Sequence, residues 1–198
     1  MKNNKIAGVD EVGRGCLAGP VFAAAVILNN KIDTNGIKDS KKISFKKRVK
    51  LSKYIKKNSI YAVGSASVKE INKINILKAS LLSMKRALAK LKRQPLTAYV
   101  DGIFSPKNKK IKFKTFIKGD EKIMCISAAS IIAKVARDSF MIKLAKKYPK
   151  YHWDKNFGYG TPNHLNALKK YGLTKHHRKK FKPVHNMLMS KSRETQKN

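Results

Sequence analysis

The sequence predicts an α/β protein in which helices cover both faces of a mixed β-sheet. Two apolar segments of strand length lie close together near the start, and helix-like and strand-like segments alternate after them. The chain has 198 residues, 42% of them hydrophobic, which is enough for one sizeable core. We therefore expect a single compact unit.

Each element follows from local apolar patterns and their boundaries. Apolar runs bounded by turn residues predict strands at residues 5–9, 20–28, 60–65, 98–100 and 111–117. Gly13, Arg14 and Gly15 form a turn between the first two strands. Helices are predicted at residues 44–57, 74–91, 123–146 and 162–171, and a basic tail follows. The clearest is 74–91, where apolar residues recur every three or four positions, and Ser44 can cap the first helix.

The chain carries an extreme positive charge. It has 46 Lys and Arg against 11 Asp and Glu, a formal net charge of +35. Such a field attracts polyanions and steers them at long range, so nucleic acid or an anionic membrane is the expected partner. Because the excess is mostly lysine in a chain also rich in Asn and Ile, compositional bias is the alternative explanation for its size.

The cysteines and the apolar runs indicate the compartment. Cys16 and Cys125 lie far apart in apolar surroundings, which suits a reducing cytoplasm and offers no disulfide framework and no cysteine-based zinc site. The start has no signal-peptide pattern, and no apolar run approaches the ~18 residues of a transmembrane span. We therefore expect a soluble, cytoplasmic protein with no membrane partner.

Carboxylates are scarce, and four of them stand near strand ends. Asp10 and Glu11 end the first strand, Asp101 ends the fourth, and Asp120 lies between a strand and a helix. Open α/β sheets place functional groups where strands end. Carboxylate oxygens gathered there suit Mg²⁺ or Mn²⁺. Asp120 alone also suits the positive end of a helix dipole.

Asp10 and Glu11 are adjacent anions in an apolar run, which costs several kcal/mol unless a positive charge compensates. Either a basic neighbour or a divalent cation would do so, and the residues alone leave both open. Neighbours in a regular strand point to opposite faces, so both side chains can face one site only if the strand breaks. Gly13 and Gly15 provide for such a break.

Ordered motifs extend across the chain. They are GVDEVGRGCLAGPV from Gly8, DSKK from Asp39, VDG from Val100, KGDEKIMCISAASIIAKVARD from Lys118, GYGT from Gly158 and HHR from His176. Their order and spacing resemble bacterial ribonuclease HII, and the resemblance covers nearly the whole chain. The related ribonuclease HIII usually carries an additional N-terminal substrate-binding domain, for which this sequence leaves no room before Asp10.

The resemblance implies a ribonuclease H-like fold with a five-stranded mixed sheet and a helical C-terminal extension. We divide the chain into a catalytic domain, residues 1–150, and a helical, basic extension, residues 151–198, packed on it. Members hydrolyse the RNA strand of RNA–DNA hybrids and cut 5′ of single ribonucleotides in duplex DNA. They leave 3′-hydroxyl and 5′-phosphate ends. The expected cofactor is Mg²⁺ or Mn²⁺, two ions with substrate bound.

The resemblance also implies roles for individual residues. Gly13, Arg14 and Gly15 match a motif whose backbone reads the ribose 2′-hydroxyl, and Tyr159 matches a tyrosine that packs on the sugar at the junction. On the residues alone, the glycines are equally a tight turn and Tyr159 is ordinary packing. The family's four acidic active-site positions fall on Asp10, Glu11, Asp101 and Asp120.

Further substrate contacts are predicted from charge and helix geometry. Ser127 and Ser130 lie on one face of a predicted helix, where they bond a phosphate or their own helix backbone. Basic residues are expected to contact the duplex backbone, with an affinity that falls steeply with salt. They are Arg14, Lys41, Lys42, His176 and Arg178.

Two other hypotheses stay open on the residues alone. One is a non-catalytic basic nucleic-acid-binding protein, such as a ribosome-associated factor, which charge alone favours equally. The other is a different ribonuclease H-like nuclease, such as a Holliday-junction resolvase, which shares the acids but needs neither glycine motif. Residues 184–198 contain no convincing sliding-clamp peptide. We therefore expect a monomer, without an obligate protein partner, that acts on RNA–DNA hybrid and ribonucleotide-containing duplex DNA.

Overall fold

The computed structural model describes residues 6–37 and 44–195, with side chains to residue 190. Its strands form a five-stranded sheet in the order β3-β2-β1-β4-β5. β1 pairs antiparallel with β2 and parallel with β4, so the sheet is mixed, and the predicted fold class is confirmed. The strands are β1 (Ile6–Val12), β2 (Val21–Leu28), β3 (Ser59–Ala66), β4 (Thr97–Asp101) and β5 (Lys112–Phe116).

Helices lie on both faces of this sheet. They are α1 (Phe45–Lys57), α2 (Val68–Ala89), α3 (Gly119–Lys122), α4 (Met124–Lys147), α5 (Trp153–Asn156), α6 (Pro162–Tyr171) and α7 (Lys182–Thr195). None of the helices in the described ranges combines the length and apolar character that a transmembrane span requires. The predicted cap is present, since the Ser44 hydroxyl accepts the Lys47 N–H.

Two apolar layers hold the sheet between its long helices. On one face, Ala7 and Val9 of β1 are buried with Met84 of α2. On the other face, Ala24 of β2 is buried with Ile132 of α4. The alternation along each strand therefore places successive side chains of β1 against α2 and α4 in turn.

Helix α2 begins at Val68, earlier than the predicted residue 74. Ser67 and Glu70 form a reciprocal capping box, with Glu70 Oε2 accepting the Ser67 N–H at 2.8 Å. Asn75 interrupts the helix with φ of 67°. The prediction missed the first turns because this kink shifts the phase of the apolar spacing.

The C-terminal elements share a buried cluster with α4 and with the segment after the glycine turn. Trp153 and Leu168 pack there with Met141 of α4 and with Leu17. Val184, in the segment predicted only as a basic tail, is also fully buried in this cluster because it lies on α7. The boundary between two domains at residue 150 stays a prediction.

Candidate active site

The sheet opens where the acidic residues begin. The β1–β4 ladder ends at the Val9–Val100 pair, whereas β1 stays paired with β2 as far as Val12. Asp10 and Glu11 therefore lie inside β1, and the expected break of this strand does not occur. It is the partner strand β4 that separates from β1, which lets side chains from both faces reach the gap.

Asp10 is the buried acid of the site, with 6% of its surface exposed. Its Oδ1 accepts the Glu11 N–H at 2.7 Å, and Ser130 of α4 hydrogen-bonds its side chain. Burial, followed by the nearby charge of Glu11, raises the pKa of Asp10 well above its usual value. Within the described residues, no lysine or arginine forms an ion pair with this carboxylate.

Glu11 projects to the α2 face, opposite to Asp10. Its Oε1 accepts a hydrogen bond from Arg14 Nη1 at 3.1 Å. Burial raises the pKa of Glu11 although Arg14 opposes the shift, and the charge of Asp101 raises it further. A basic neighbour thus compensates one acid of the pair and leaves the other uncompensated.

Asp101 lies beside the gap at the end of β4, and Asp120 follows later in the chain on α3. Asp101 Oδ1 accepts the Gly119 N–H at 2.7 Å, which fixes the end of β4 against the start of α3. Asp120 is the next residue and lies on the short helix α3, between β5 and the long helix α4. Asp101 also contributes its charge to the raised pKa of Asp10 and Glu11.

These carboxylates offer the hard oxygen donors that a divalent cation requires. The mutual repulsion and burial of Asp10, Glu11 and Asp101 would be relieved by a positive ion among them. In the described part of the chain, however, no three acidic, histidine or cysteine side chains are gathered tightly enough to hold an ion as they stand. The donor set fits a metal, and its side chains must turn toward the ion to bind it.

The two glycines after β1 have different surroundings. Gly13 has φ of +92°, and a Cβ there would lie 2.0 Å from Arg137 Nε. Gly15 has no such constraint, and a Cβ there would meet nothing within 4 Å. The fold therefore requires glycine at 13, whereas nothing inside the protein requires it at 15.

Two buried arginines hold the backbone around this turn. Arg178 donates to the carbonyl oxygens of Gly13, Arg14 and Gly19 at 2.7, 2.8 and 2.9 Å. Because its side chain is fully buried, the prediction that Arg178 contacts the duplex is corrected.

The second arginine, Arg137 of α4, was not predicted. It donates to the carbonyl oxygens of Ala18, Pro20 and Phe157 at 3.2, 3.0 and 2.9 Å. The sequence offered one signal for its burial, which is its position among the many alanine and isoleucine residues of this helix.

Tyr159 lies on a loop packed against the segment that follows the turn. Its residue is 40% exposed, and its hydroxyl interacts with Cys16. The Leu17 N–H donates to the Gly158 carbonyl at 2.8 Å, and a Cβ on Gly158 would lie 2.5 Å from the Ala18 oxygen. The tyrosine loop and the segment just after the glycine turn are thus joined by direct backbone contact.

The other residues predicted to contact the substrate differ in where the structure places them. Ser127 is 2% exposed and its hydroxyl donates to the carbonyl oxygens of Asp120 and Ile123, so of its two predicted alternatives the bond to backbone is present and the phosphate contact is not. His176 is partly buried against the Tyr148 ring. Lys41 and Lys42 lie outside the described residues.

Two histidines form a hydrogen-bonded chain behind Tyr159. Thr174 N–H donates to His177 Nδ1 at 2.9 Å, and His177 Nε2 lies 3.1 Å from His164 Nε2. His164 Nδ1 lies 2.8 Å from the Tyr159 carbonyl, so it carries the proton in that bond. Burial lowers the pKa of both rings, that of His177 to about 3.

We expect this pair to make the fold sensitive to acid. Below pH 6.5 the unfolded His177 takes up a proton that the folded ring accepts only near pH 3, so stability falls across that window. Thermal unfolding between pH 7 and pH 4 should show a shallower loss for His177→Gln than for the unchanged chain. Parallel losses in the two proteins would contradict this assignment.

Known proteins are similar to this chain over most of its length. The ribonuclease HII of Pelagibacter ubique is 60% identical over 183 residues, which cover 92% of this chain and 98% of that protein. The ribonuclease HII of Neisseria meningitidis serogroup B is 50% identical over 92% of this chain and 94% of that protein.

Solved structures share the fold. The ribonuclease H2 of Pyrococcus horikoshii has a TM-score of 0.75 at 30% identity, covering 91% of this chain and 95% of that one. The ribonuclease HII of Archaeoglobus fulgidus, solved in a complex with PCNA, has a TM-score of 0.70 at 28% identity over the same shares.

The sequence model of the family described as Ribonuclease HII matches residues 7–184. This range contains the acidic strand ends, the glycine turn and the tyrosine loop. The chain therefore belongs to the ribonuclease HII family, the type 2 ribonucleases H that depend on divalent metal ions.

Proposed function

We propose that this chain hydrolyses the RNA strand of RNA–DNA hybrids and cuts 5′ of single ribonucleotides embedded in duplex DNA. The products are a 3′-hydroxyl and a 5′-phosphate. The observation that carries the proposal is the 3.1 Å contact between Glu11 and Arg14, which joins the acidic gap to the glycine turn. The acidic residues proposed to cut the phosphodiester then lie beside the backbone turn proposed to recognise its ribose.

Asp10, Glu11, Asp101 and Asp120 are proposed to hold two divalent ions, Mg²⁺ or Mn²⁺. Such ions supply charge neutralisation at the scissile phosphate and a reactive water at neutral pH. The protein's part is to hold anionic oxygens in a partly buried gap, where the negative substrate would otherwise be repelled. Ser130 keeps the Asp10 carboxylate oriented, and Arg14 is free to leave Glu11 for a phosphate when a metal ion takes its place.

Selection of RNA requires a probe of the 2′-hydroxyl, which both donates and accepts hydrogen bonds. Gly15 supports this role because the space beside it is open, so a sugar can approach its backbone closely. Tyr159 is partly exposed and lies on a loop joined to the same segment, so its ring is proposed as the surface on which that sugar packs.

A groove of about 270 Å³ extends from the acids along the α2 face and supports a longer contact with the duplex. Ile103, Phe104 and Ile117 line it and are 64%, 46% and 66% exposed. Exposed lysines at 107, 109 and 110 follow in the same loop. Apolar side chains beside cations suit the sugars and phosphates of a nucleic-acid backbone.

One assay tests the proposal. The purified chain is incubated with Mg²⁺ or Mn²⁺ and duplex DNA that contains one ribonucleotide, with all-DNA duplex and a four-way junction as controls. We expect cleavage on the 5′ side of the ribonucleotide alone. Binding without cleavage, or cleavage of the four-way junction, would overturn the proposal in favour of a binding protein or a resolvase.

Tyr159 provides a second prediction. Its hydroxyl interacts with Cys16, so the proposed contact with the sugar is made by the ring. Tyr159→Phe should therefore cut with a rate within about 3-fold of the unchanged chain, while Tyr159→Ala should lose on the order of 10-fold or more. Steady-state cleavage of the single-ribonucleotide duplex measures both. Equal rates for Tyr159→Ala and the unchanged chain would contradict the packing role.

We further propose that the chain acts as a monomer without an obligate protein partner. The Archaeoglobus relative was solved with PCNA. Size-exclusion chromatography with light scattering tests the monomer, and full cleavage activity of the isolated chain tests its independence. A stable dimer, or activity that appears only with a clamp protein, would overturn this part.

A further inference from the structure

Arg137 and Arg178 are both 0% exposed, and burial lowers the pKa of Arg178 to about 10. A buried cation is normally stabilised by an anion. Within the described residues, neither guanidinium forms an ion pair with a carboxylate. Each instead donates three hydrogen bonds to backbone carbonyls, and five of the six carbonyls belong to residues 13–20.

The contacts of Arg178 determine where the turn's N–H groups point. In a trans peptide the C=O of one residue and the N–H of the next point in opposite directions. Because Arg178 draws the Gly13 and Arg14 oxygens inward, the N–H groups of Arg14 and Gly15 are directed away from the interior. In the described part of the chain neither N–H donates to a protein acceptor.

Arg137 connects this turn to the tyrosine loop. Its guanidinium spans the Ala18 and Pro20 oxygens on one side and the Phe157 oxygen on the other. Its Nε also occupies the space beside Gly13, where any Cβ would collide with it. The two arginines together therefore hold residues 13–20 in a fixed position relative to the tyrosine loop.

We propose that Arg137 and Arg178 are positioning residues for ribonucleotide selectivity: by binding the carbonyls of residues 13–20 from inside, they hold the outward N–H groups of Arg14 and Gly15 for the substrate's 2′-oxygen. The assignment rests on the proposed function of the turn. Neither arginine touches the substrate, and both act through the backbone.

The test combines changes to the arginines with a change of the 2′-group on the substrate. Arg178→Gln, Arg178→Lys and Arg137→Lys are compared with the unchanged chain on two duplexes, one with a ribonucleotide and one with a 2′-fluoro nucleotide at the same place. Single-turnover rates at excess enzyme are measured, so that slow reactions are recorded. Leu91→Ala, in the core between the sheet and α2, is the control for lost stability.

The unchanged chain should prefer the ribonucleotide strongly, and this preference should fall by about 10-fold or more in the arginine variants. Leu91→Ala should retain the full preference for the ribonucleotide even if its melting temperature falls as much as those of the arginine variants. An unaltered preference in any folded arginine variant, or an equal loss in Leu91→Ala, overturns the assignment. If the unchanged chain cuts neither duplex, the proposed function fails instead.

Discussion

Asp10→Asn should abolish cleavage while leaving a more stable protein. If Asp10 holds a metal ion as proposed, its replacement should lower the rate by far more than the 10- to 100-fold that is typical of residues around a metal site. Without metal, however, the buried Asp10 charge opposes folding, since burial and Glu11 both raise its pKa. In EDTA the variant should therefore melt about 2–4 °C higher, which corresponds to roughly 1 kcal/mol.

Cleavage rate and melting temperature also distinguish metal binding by Asp10 from a purely structural role. Added Mg²⁺ should raise the melting temperature of the unchanged chain more than that of Asp10→Asn, because the ion binds the folded state. Binding of the hybrid should remain. Asp154→Asn, which alters an exposed acid on α5, should cut and melt like the unchanged chain. Near-normal turnover by Asp10→Asn would contradict the metal assignment.

Gly13→Ala and Gly15→Ala should fail in opposite ways. At Gly13 a side chain meets both a left-handed φ and Arg137 at 2.0 Å, so we expect a destabilisation of about 2–4 kcal/mol. At Gly15 the space is open, so stability should change by less than about 0.5 kcal/mol. Its new methyl group should nevertheless obstruct the ribose and reduce cleavage on the order of 10-fold or more.

Urea unfolding and single-turnover cleavage of the ribonucleotide-containing duplex measure the two effects on the same preparations. Gly102→Ala is a useful comparison, because Gly102 has φ of +88° but open space beside it. This variant should lose stability through backbone strain alone, without a steric clash. If Gly15→Ala cuts normally, the backbone at that position does not read the sugar.

The sheet and most elements were predictable because their signals are local. β2, α6 and the cap at Ser44 were predicted closely from an apolar run of strand length and from local boundary residues. The extent of β1 was not predictable in this way, because Asp10 and Glu11 end the apolar run while the backbone pairing with β2 continues through them. Hydrogen bonds between backbones carry no signature in side-chain composition.

The site was predictable in its residue types and less so in its geometry. That Asp10 and Glu11 use opposite faces follows from strand alternation, but the gap between β1 and β4 depends on where a distant ladder ends. Arg178 was assigned to the duplex because a basic cluster is normally exposed. Only the tertiary structure shows that it belongs to the interior, since its three acceptors lie more than 150 residues earlier in the chain.

That separation in sequence has a consequence for synthesis. The turn at Gly13 leaves the ribosome early, yet the side chain that binds its carbonyl oxygens is supplied by Arg178, 165 residues later. Contacts of such long sequence separation form late, because the intervening chain must be ordered first. A nascent chain therefore carries its acidic strand long before it carries a finished turn. Nuclease activity should thus appear only after nearly the whole protein has been made.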